Sequence, residues 1–175
     1  MTPEFPRPHR IDQIGAGETN VEIEATPEEC VALARRFDLV GIDRLAARFS
    51  LRRDANGILA TGHLTSAVTQ SCGVTGDPLP ARIEEDFAIR FLPEPGEGET
   101  HDEVELSEEE LDTVFYSGST LDLGEAAAET LALALDPFPR SPGAAEMLQQ
   151  AGVISEEEAA PLGALAGLKD LLKKN

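Results

Sequence analysis

The sequence predicts an α+β domain in which a curved antiparallel β-sheet packs against two to three helices. Residues 44–72 alternate between apolar and polar side chains on both sides of Asn56-Gly57, the strongest short signal for a β-hairpin. Helix-start signals occur once before this run, at Thr26, and once after it, at Asp122. The long strands favour strong curvature, and closure of the sheet into a partial barrel remains open as an alternative.

The strand pattern is clearest in residues 44–53 and 58–72. A two-residue loop at Asn56-Gly57 pairs Phe49 with Leu64 and places the apolar side chains of both strands on one face. A third strand follows the turn near 75–78 and joins the same apolar face if Leu64 pairs with Ile89, so we expect a three-stranded meander. Glu85 then falls on the apolar face, where an unpaired buried carboxylate is costly. We expect it to lie at a sheet end or to pair with an arginine, and the alternative is a polar patch in a groove that a partner uses.

The helix signals bracket this meander. Thr26 and Glu29 form a capping box around Pro27 and begin a helix over 27–37. Asp122 caps a second helix, which Asp136-Pro137 ends. Two short strands are also predicted, at 19–24 and 113–116.

We expect one α+β domain at 19–143, with an extended N-terminal arm at 1–18 and a C-terminal helical tail at 144–175 docked on it. Residues 93–112, which we call the acidic segment, hold ten acidic residues and no lysine or arginine, and predict a solvated loop. A last helix over 162–174 has leucines on one side and lysines near its C-terminal end: Leu162, Leu165, Leu168, Leu172, Lys169, Lys173 and Lys174.

Composition excludes several classes of function. The 175 residues carry 33 acidic against 14 basic side chains, a formal net charge of −19. Such a molecule is a poor ligand for phosphate backbones and suits a basic partner. No apolar stretch is long enough to cross a membrane, and no secretory leader is expected. Two cysteines favour a reducing compartment, so we expect a cytoplasmic protein.

Candidate catalytic and metal-binding residues are sparse. The three histidines, His9, His63 and His101, are far apart, and Cys30 and Cys72 lack the close pairing of a zinc site. No nucleophile motif or phosphate-binding loop occurs. We therefore expect no catalytic residue, no metal and no cofactor.

A basic stripe on the polar face of the first hairpin is the one cationic feature. Its three members are Arg44, Arg48 and Arg52, which we call the arginine stripe. Arginine beside serine and threonine can contact phosphates, although no aromatic side chain on that face could stack a base. The alternative is an ordinary solvated sheet face.

Two segments carry a family resemblance. The first is 70–79, with Cys72, and the second runs from Leu121 to Arg140 and contains Asp122, Gly124, Glu125, Glu129, Asp136 and Pro137. Their order and spacing resemble the YceD family, the large-ribosomal-subunit RNA accumulation proteins, in the form typical of alphaproteobacteria. Many members carry a second cysteine where this chain has Thr75, and a later cysteine pair that 137–143 lacks, so the resemblance implies no metal site in this chain.

The resemblance implies a non-enzymatic ribosome-biogenesis factor that supports accumulation of the large-subunit (23S) ribosomal RNA. Charge adds the expectation that acidic side chains bind a basic ribosomal protein or a pre-ribosomal large subunit, chiefly Glu103, Glu105, Glu108, Glu109 and Glu110. The alternatives are direct RNA binding through the arginine stripe, a small enzyme, and an acidic mimic that blocks a nucleic-acid-binding protein.

Overall fold

The computed structural model describes residues 3–94 and 112–153. In these residues the elements follow in the order β1 (Pro8–Arg10), β2 (Thr19–Glu24), α1 (Pro27–Arg36), β3 (Gly41–Asp54), β4 (Gly57–Ser71), β5 (Pro78–Pro93), β6 (Asp112–Tyr116), β7 (Thr120–Asp122), α2 (Leu123–Ala134) and α3 (Ala144–Gln150). Strands β2 to β6 form a five-stranded sheet in chain order, and β1 pairs with β7. The predicted α+β class is confirmed, and the sheet does not close into a barrel.

Strands β3, β4 and β5 form the predicted antiparallel meander, but in a different register. Phe49 lies opposite Gly62 instead of Leu64, and Leu64 lies opposite Glu85 instead of Ile89. Both slips are by an even number of residues, so every side chain keeps its predicted face. The apolar face is therefore correct although the predicted pairs are wrong.

The hairpin loop explains the first slip. Its two residues are Ala55 and Asn56, because Gly57 already pairs with Asp54. The Asp54 carboxylate accepts a hydrogen bond from the backbone N–H of Asn56 at 2.8 Å, which stabilises this turn. Gly57 has a φ of +122°, and a Cβ there would lie 2.5 Å from the carbonyl oxygen of Phe91, so only glycine fits.

Both long helices pack on the apolar face of the sheet. Helix α1 begins with the predicted capping box, in which the Thr26 side chain accepts from the Glu29 N–H and the Glu29 carboxylate accepts from the Thr26 N–H. One hydrophobic core joins α1, α2 and the sheet; its fully buried large side chains include Leu33, Leu45, Phe49, Leu51, Ile58, Leu64, Leu123 and Leu131. The N-terminal residues join this core through Phe5 and Ile14.

The last strand pair departs from the expected all-antiparallel sheet. Strand β6 runs parallel to β5 and pairs with it from Ile89–Asp112 to Pro93–Tyr116. A parallel neighbour requires a connection that returns along the strand, and the acidic segment makes this connection. Residues 95–111 of that segment, and the predicted helix over 162–174, lie outside the described residues.

Glu85 lies where β5 extends beyond β6. Within the described chain, the part of β5 before Ile89 pairs with a strand on one side only. Glu85 is exposed for this reason, although its side of the sheet is the apolar one. Of the three expectations for Glu85, the position at the end of the paired region is the one that matches its exposure.

Candidate functional site

The two segments that carry the family resemblance meet at the end of β4. The backbone N–H of Gly73 donates to the carbonyl oxygen of Pro139 at 2.9 Å, and Nε2 of Gln70 donates to the carbonyl oxygen of Asp136 at 2.9 Å. The hydroxyls of Thr75 and Ser141 lie 3.2 Å apart. We call residues 70–77 with 136–141 the motif site.

Cys72 is the centre of the motif site. Its side chain is buried, and its Sγ accepts hydrogen bonds from the backbone N–H of Thr75 at 3.4 Å and of Ser141 at 3.2 Å. The hydrogen bonds from Thr75 and then Ser141 lower the pKa of the Cys72 thiol to about 6, because such donors favour the thiolate. Cys72 thereby ties the chain that leaves α2 to the end of β4.

A groove lies beside the motif site. It has a volume of about 710 Å³ and runs between the end of α1 and the end of α2. Its lining is mixed. Gln70, Ser71, Cys72 and Gly73 line it from the end of β4, and its apolar lining residues are Phe37, Leu39, Ala132, Leu133, Leu135, Pro137 and Pro139. The carboxylate-bearing residues Asp38 and Asp136 also line it. We call it the motif groove.

A second group of motif residues holds the N-terminal segment against α2. The Asp122 carboxylate accepts from the N–H groups of Gly124 and Glu125, at 3.0 and 3.2 Å, and so caps the helix. The same oxygen accepts from the N–H of Arg7 at 2.9 Å. A Cβ on Gly124 would lie 1.7 Å from the carbonyl oxygen of Phe5, so the arm passes the helix at the closest approach that glycine allows.

Glu125 extends this arrangement to α1. Its carboxylate accepts two hydrogen bonds from the Arg36 guanidinium, at 2.9 and 2.5 Å, and Arg36 also contacts Glu4 at 3.1 Å. The pairing raises the pKa of Arg36 and lowers that of Glu125. The remaining motif residue of α2, Glu129, is exposed. These contacts give Asp122, Gly124 and Glu125 roles in joining the arm, α1 and α2.

The arginine stripe lies on the exposed face of the sheet, where two of its three members are paired with β2. Arg44 contacts Glu24 at 2.8 Å, and Arg48 contacts Glu22 at 3.1 Å. Sequence reasoning missed these partners, although the acidic residues of β2 alternate with the same two-residue period as the stripe. Arg52 is exposed near the end of β3.

Acidic side chains gather at the free part of β5. Glu84, Glu85 and Asp86 are consecutive and exposed, and Asp112 begins β6 beside Ile89. We call Glu84, Glu85, Asp86 and Asp112 the acidic edge, a cluster that the sequence analysis did not recognise. The expected partner-binding residues Glu103, Glu105, Glu108, Glu109 and Glu110 lie outside the described residues.

In residues 3–94 and 112–153, no group of His, Cys, Asp and Glu is arranged to hold a metal ion. No helix in the described part of the chain is long and apolar enough to span a membrane.

The fold and the site together define an acidic α+β domain in which the two motif segments are joined by hydrogen bonds. The sequence model of the family described as large ribosomal RNA subunit accumulation protein YceD matches residues 60–172, and the chain belongs to this family. The match spans β4, β5, the acidic segment and the motif site. No curated protein and no solved structure matches the chain. Family membership ties the chain to the accumulation of large-subunit ribosomal RNA.

Proposed function

We propose that this protein is a non-enzymatic ribosome-biogenesis factor that acts in the cytoplasm and supports accumulation of the 23S ribosomal RNA. It does so by binding a basic ribosomal protein, alone or on a pre-ribosomal large subunit. The family description supports the link to ribosomal RNA. The placement of acidic residues supports a positively charged partner.

The observation that carries the proposal is the position of the acidic edge. Glu94 follows β5 and its N–H donates to the carbonyl oxygen of Tyr116 at 2.9 Å, while Asp112 lies beside Ile89. Glu94 therefore leaves the sheet at the Tyr116 end of β6, whereas Asp112 enters it at the other end, three residues from Asp86 along β5. Glu84–Asp86 and Asp112 come from separate parts of the sequence and lie along one edge of the sheet, which concentrates negative potential where a cationic partner would approach.

The motif residues support a role without catalysis. Asp122 caps a helix, Glu125 pairs with Arg36, and Cys72 accepts two backbone N–H groups. Each of these contacts holds the fold together and requires no substrate.

Direct binding of RNA is the competing function. The pairing of Arg44 and Arg48 with glutamates of β2 lowers the local positive charge that phosphate contacts need. The net charge of −19 opposes it further.

A salt-dependent binding experiment tests the proposal. The full chain is tagged and used to purify partners from cells at low and high salt, and both protein and RNA are identified. The affinity of each basic large-subunit protein recovered is then measured with the purified chain. A variant with five acids of the acidic segment changed to glutamine should bind at least about tenfold more weakly, with a reduced salt dependence, since several charges act together. The five are Glu103, Glu105, Glu108, Glu109 and Glu110.

A matched variant controls for net charge. It also changes five acidic residues to their amides, but outside the acidic edge and the acidic segment, and it should bind like the native protein: Glu18, Glu28, Asp43, Glu146 and Glu156. Equal affinity for the native protein and the acidic-segment variant would contradict the proposed surface. If the purified protein retains ribosomal RNA but no ribosomal protein when nuclease is left out, the result would favour the competing function.

A further inference from the structure

The motif groove has seven apolar lining residues, and no part of the described chain covers it. Leu133 in its wall is 78% exposed, and Phe37, Leu39 and Leu135 are partly exposed. Phe138, on the same turn as the groove-lining prolines, is 76% exposed. Exposed apolar side chains gathered beside one groove are candidates for a docking surface.

We propose that residues 162–172 of this same chain occupy the motif groove as a helix, with their leucines against its apolar walls. The residues concerned are Leu162, Leu165, Leu168 and Leu172, whose spacing places them on one stripe of a helix. Gly163 and Gly167 fall on the opposite side, which would face solvent.

The chain is long enough to return to the groove. Helix α3 begins at the motif site, because the N–H of Ala144 donates to the carbonyl oxygen of Ser141 at 3.0 Å. The 7 residues of α3 extend only about 10 Å. Residues 154–161 then span up to about 28 Å when extended. Leu162 can therefore reach the groove without any movement of the described domain.

Charge favours the same occupant. Asp38 and Asp136 line the groove, and no lysine or arginine is among the described residues that line it. The leucine stripe carries Lys169 beside it, and Lys173 and Lys174 follow. A cationic side chain on the docked helix would meet the two carboxylates, which is the complementary arrangement.

Hydrogen exchange on the full chain tests this docking without any ribosomal partner, so its outcome is independent of the proposed function. Backbone amides of 165–172 should exchange at least about tenfold more slowly in the protein than in a free peptide of that sequence. The variant Leu133→Glu changes the groove and leaves the tail intact, and it should abolish this protection. The variant Val31→Glu alters an exposed apolar residue of α1 and adds the same charge, and it should preserve the protection.

A second pair of variants changes the tail and leaves the domain intact. Leu165→Glu with Leu168→Glu should speed exchange of the amides in 132–139 by a similar factor. Gly163→Glu with Gly167→Glu adds the same charge to the opposite side and should leave those amides unchanged.

Each other occupant of the groove gives a distinct result that would overturn the proposal. Exchange of 165–172 at the peptide rate would mean that the tail does not dock. Protection that persists in Leu133→Glu would place the tail elsewhere. Protection that disappears on dilution would assign the groove to a second copy of the chain, and protection that requires an added basic ribosomal protein would assign it to that partner.

Discussion

Replacing Gly124 with alanine separates helix propensity from the close contact of the N-terminal segment. Gly124 is the second residue of α2, where alanine should stabilise the helix by up to about 1 kcal/mol if only propensity mattered. The new Cβ would instead lie 1.7 Å from the carbonyl oxygen of Phe5, which is backbone and must move. The two effects have opposite signs.

The structure gives the size of the steric effect. Phe5 is 1% exposed, and full loss of its burial would cost about 3–5 kcal/mol, as for a buried phenylalanine changed to alanine. Loss of the hydrogen bond from the Arg7 N–H to Asp122 adds about 1 kcal/mol. If the arm shifts without leaving the core, the cost is that of overpacking, about 1–3 kcal/mol. We therefore expect the free energy of unfolding to fall by about 2–4 kcal/mol.

Urea unfolding followed by circular dichroism measures this change, with Gly143→Ala as the control. No heavy atom lies within 4 Å of a Cβ at Gly143, so that substitution should change the free energy of unfolding by less than about 0.5 kcal/mol. Hydrogen exchange at Arg7 should accelerate in Gly124→Ala alone. A Gly124→Ala protein as stable as the native one would refute the reasoning, since the arm would then have room that the structure denies it.

Three further predictions concern the motif site, its groove and the exposed sheet face. The pKa of Cys72 is about 6 in the folded chain and about 8.5 in an unfolded one. The thiolate therefore stabilises the fold fully above about pH 8.5, and this contribution is lost as the pH falls through 6. In Cys72→Ala, the free energy of unfolding measured with urea should depend less on pH across this window, and an unchanged pH profile would disprove the shift. Asp38 has a φ of +54°, a backbone conformation that glycine adopts without strain. Asp38→Gly should therefore raise the free energy of unfolding by about 0.5–1 kcal/mol. A lower free energy of unfolding would mean that the Asp38 side chain stabilises the fold by more than the backbone strain costs. Filter binding of ribosomal RNA should change less than about twofold when the arginine stripe is replaced by glutamine, because Arg44 and Arg48 are paired with glutamates of β2 and the net charge of −19 opposes phosphate contacts. A large loss would restore direct RNA binding through Arg44, Arg48 and Arg52.

Local signals in the sequence were sufficient to predict where the main helices and strands lie. The capping box at Thr26 and Glu29, the alternation in β3 and β4, and the Asp122 cap each involve residues within four positions of one another, or a repeat of two. Such signals act in the unfolded chain as well as in the folded one, which is why they can be interpreted without a structure. The helices α1 and α2 and the meander appear close to their predicted bounds.

Register and strand direction depended on contacts that the pattern does not contain. The Asp54 carboxylate selects the loop at Ala55 and Asn56, and a slip by an even number of residues leaves the apolar pattern unchanged. Strand β6 pairs parallel to β5, from Ile89–Asp112 to Pro93–Tyr116. Alternation alone is the same for parallel and antiparallel neighbours.

The sequence by itself determined the helix starts, the meander and its apolar face, the strong negative charge, and the two motif segments whose order resembled the YceD family. Only the tertiary structure brought Cys72 to Ser141, paired Arg44 and Arg48 with β2, and placed Asp112 beside Ile89, three residues from Asp86. The physical reason is distance along the chain: Cys72 and Ser141 are 69 residues apart in the sequence, and no pattern within a few residues records a hydrogen bond between them.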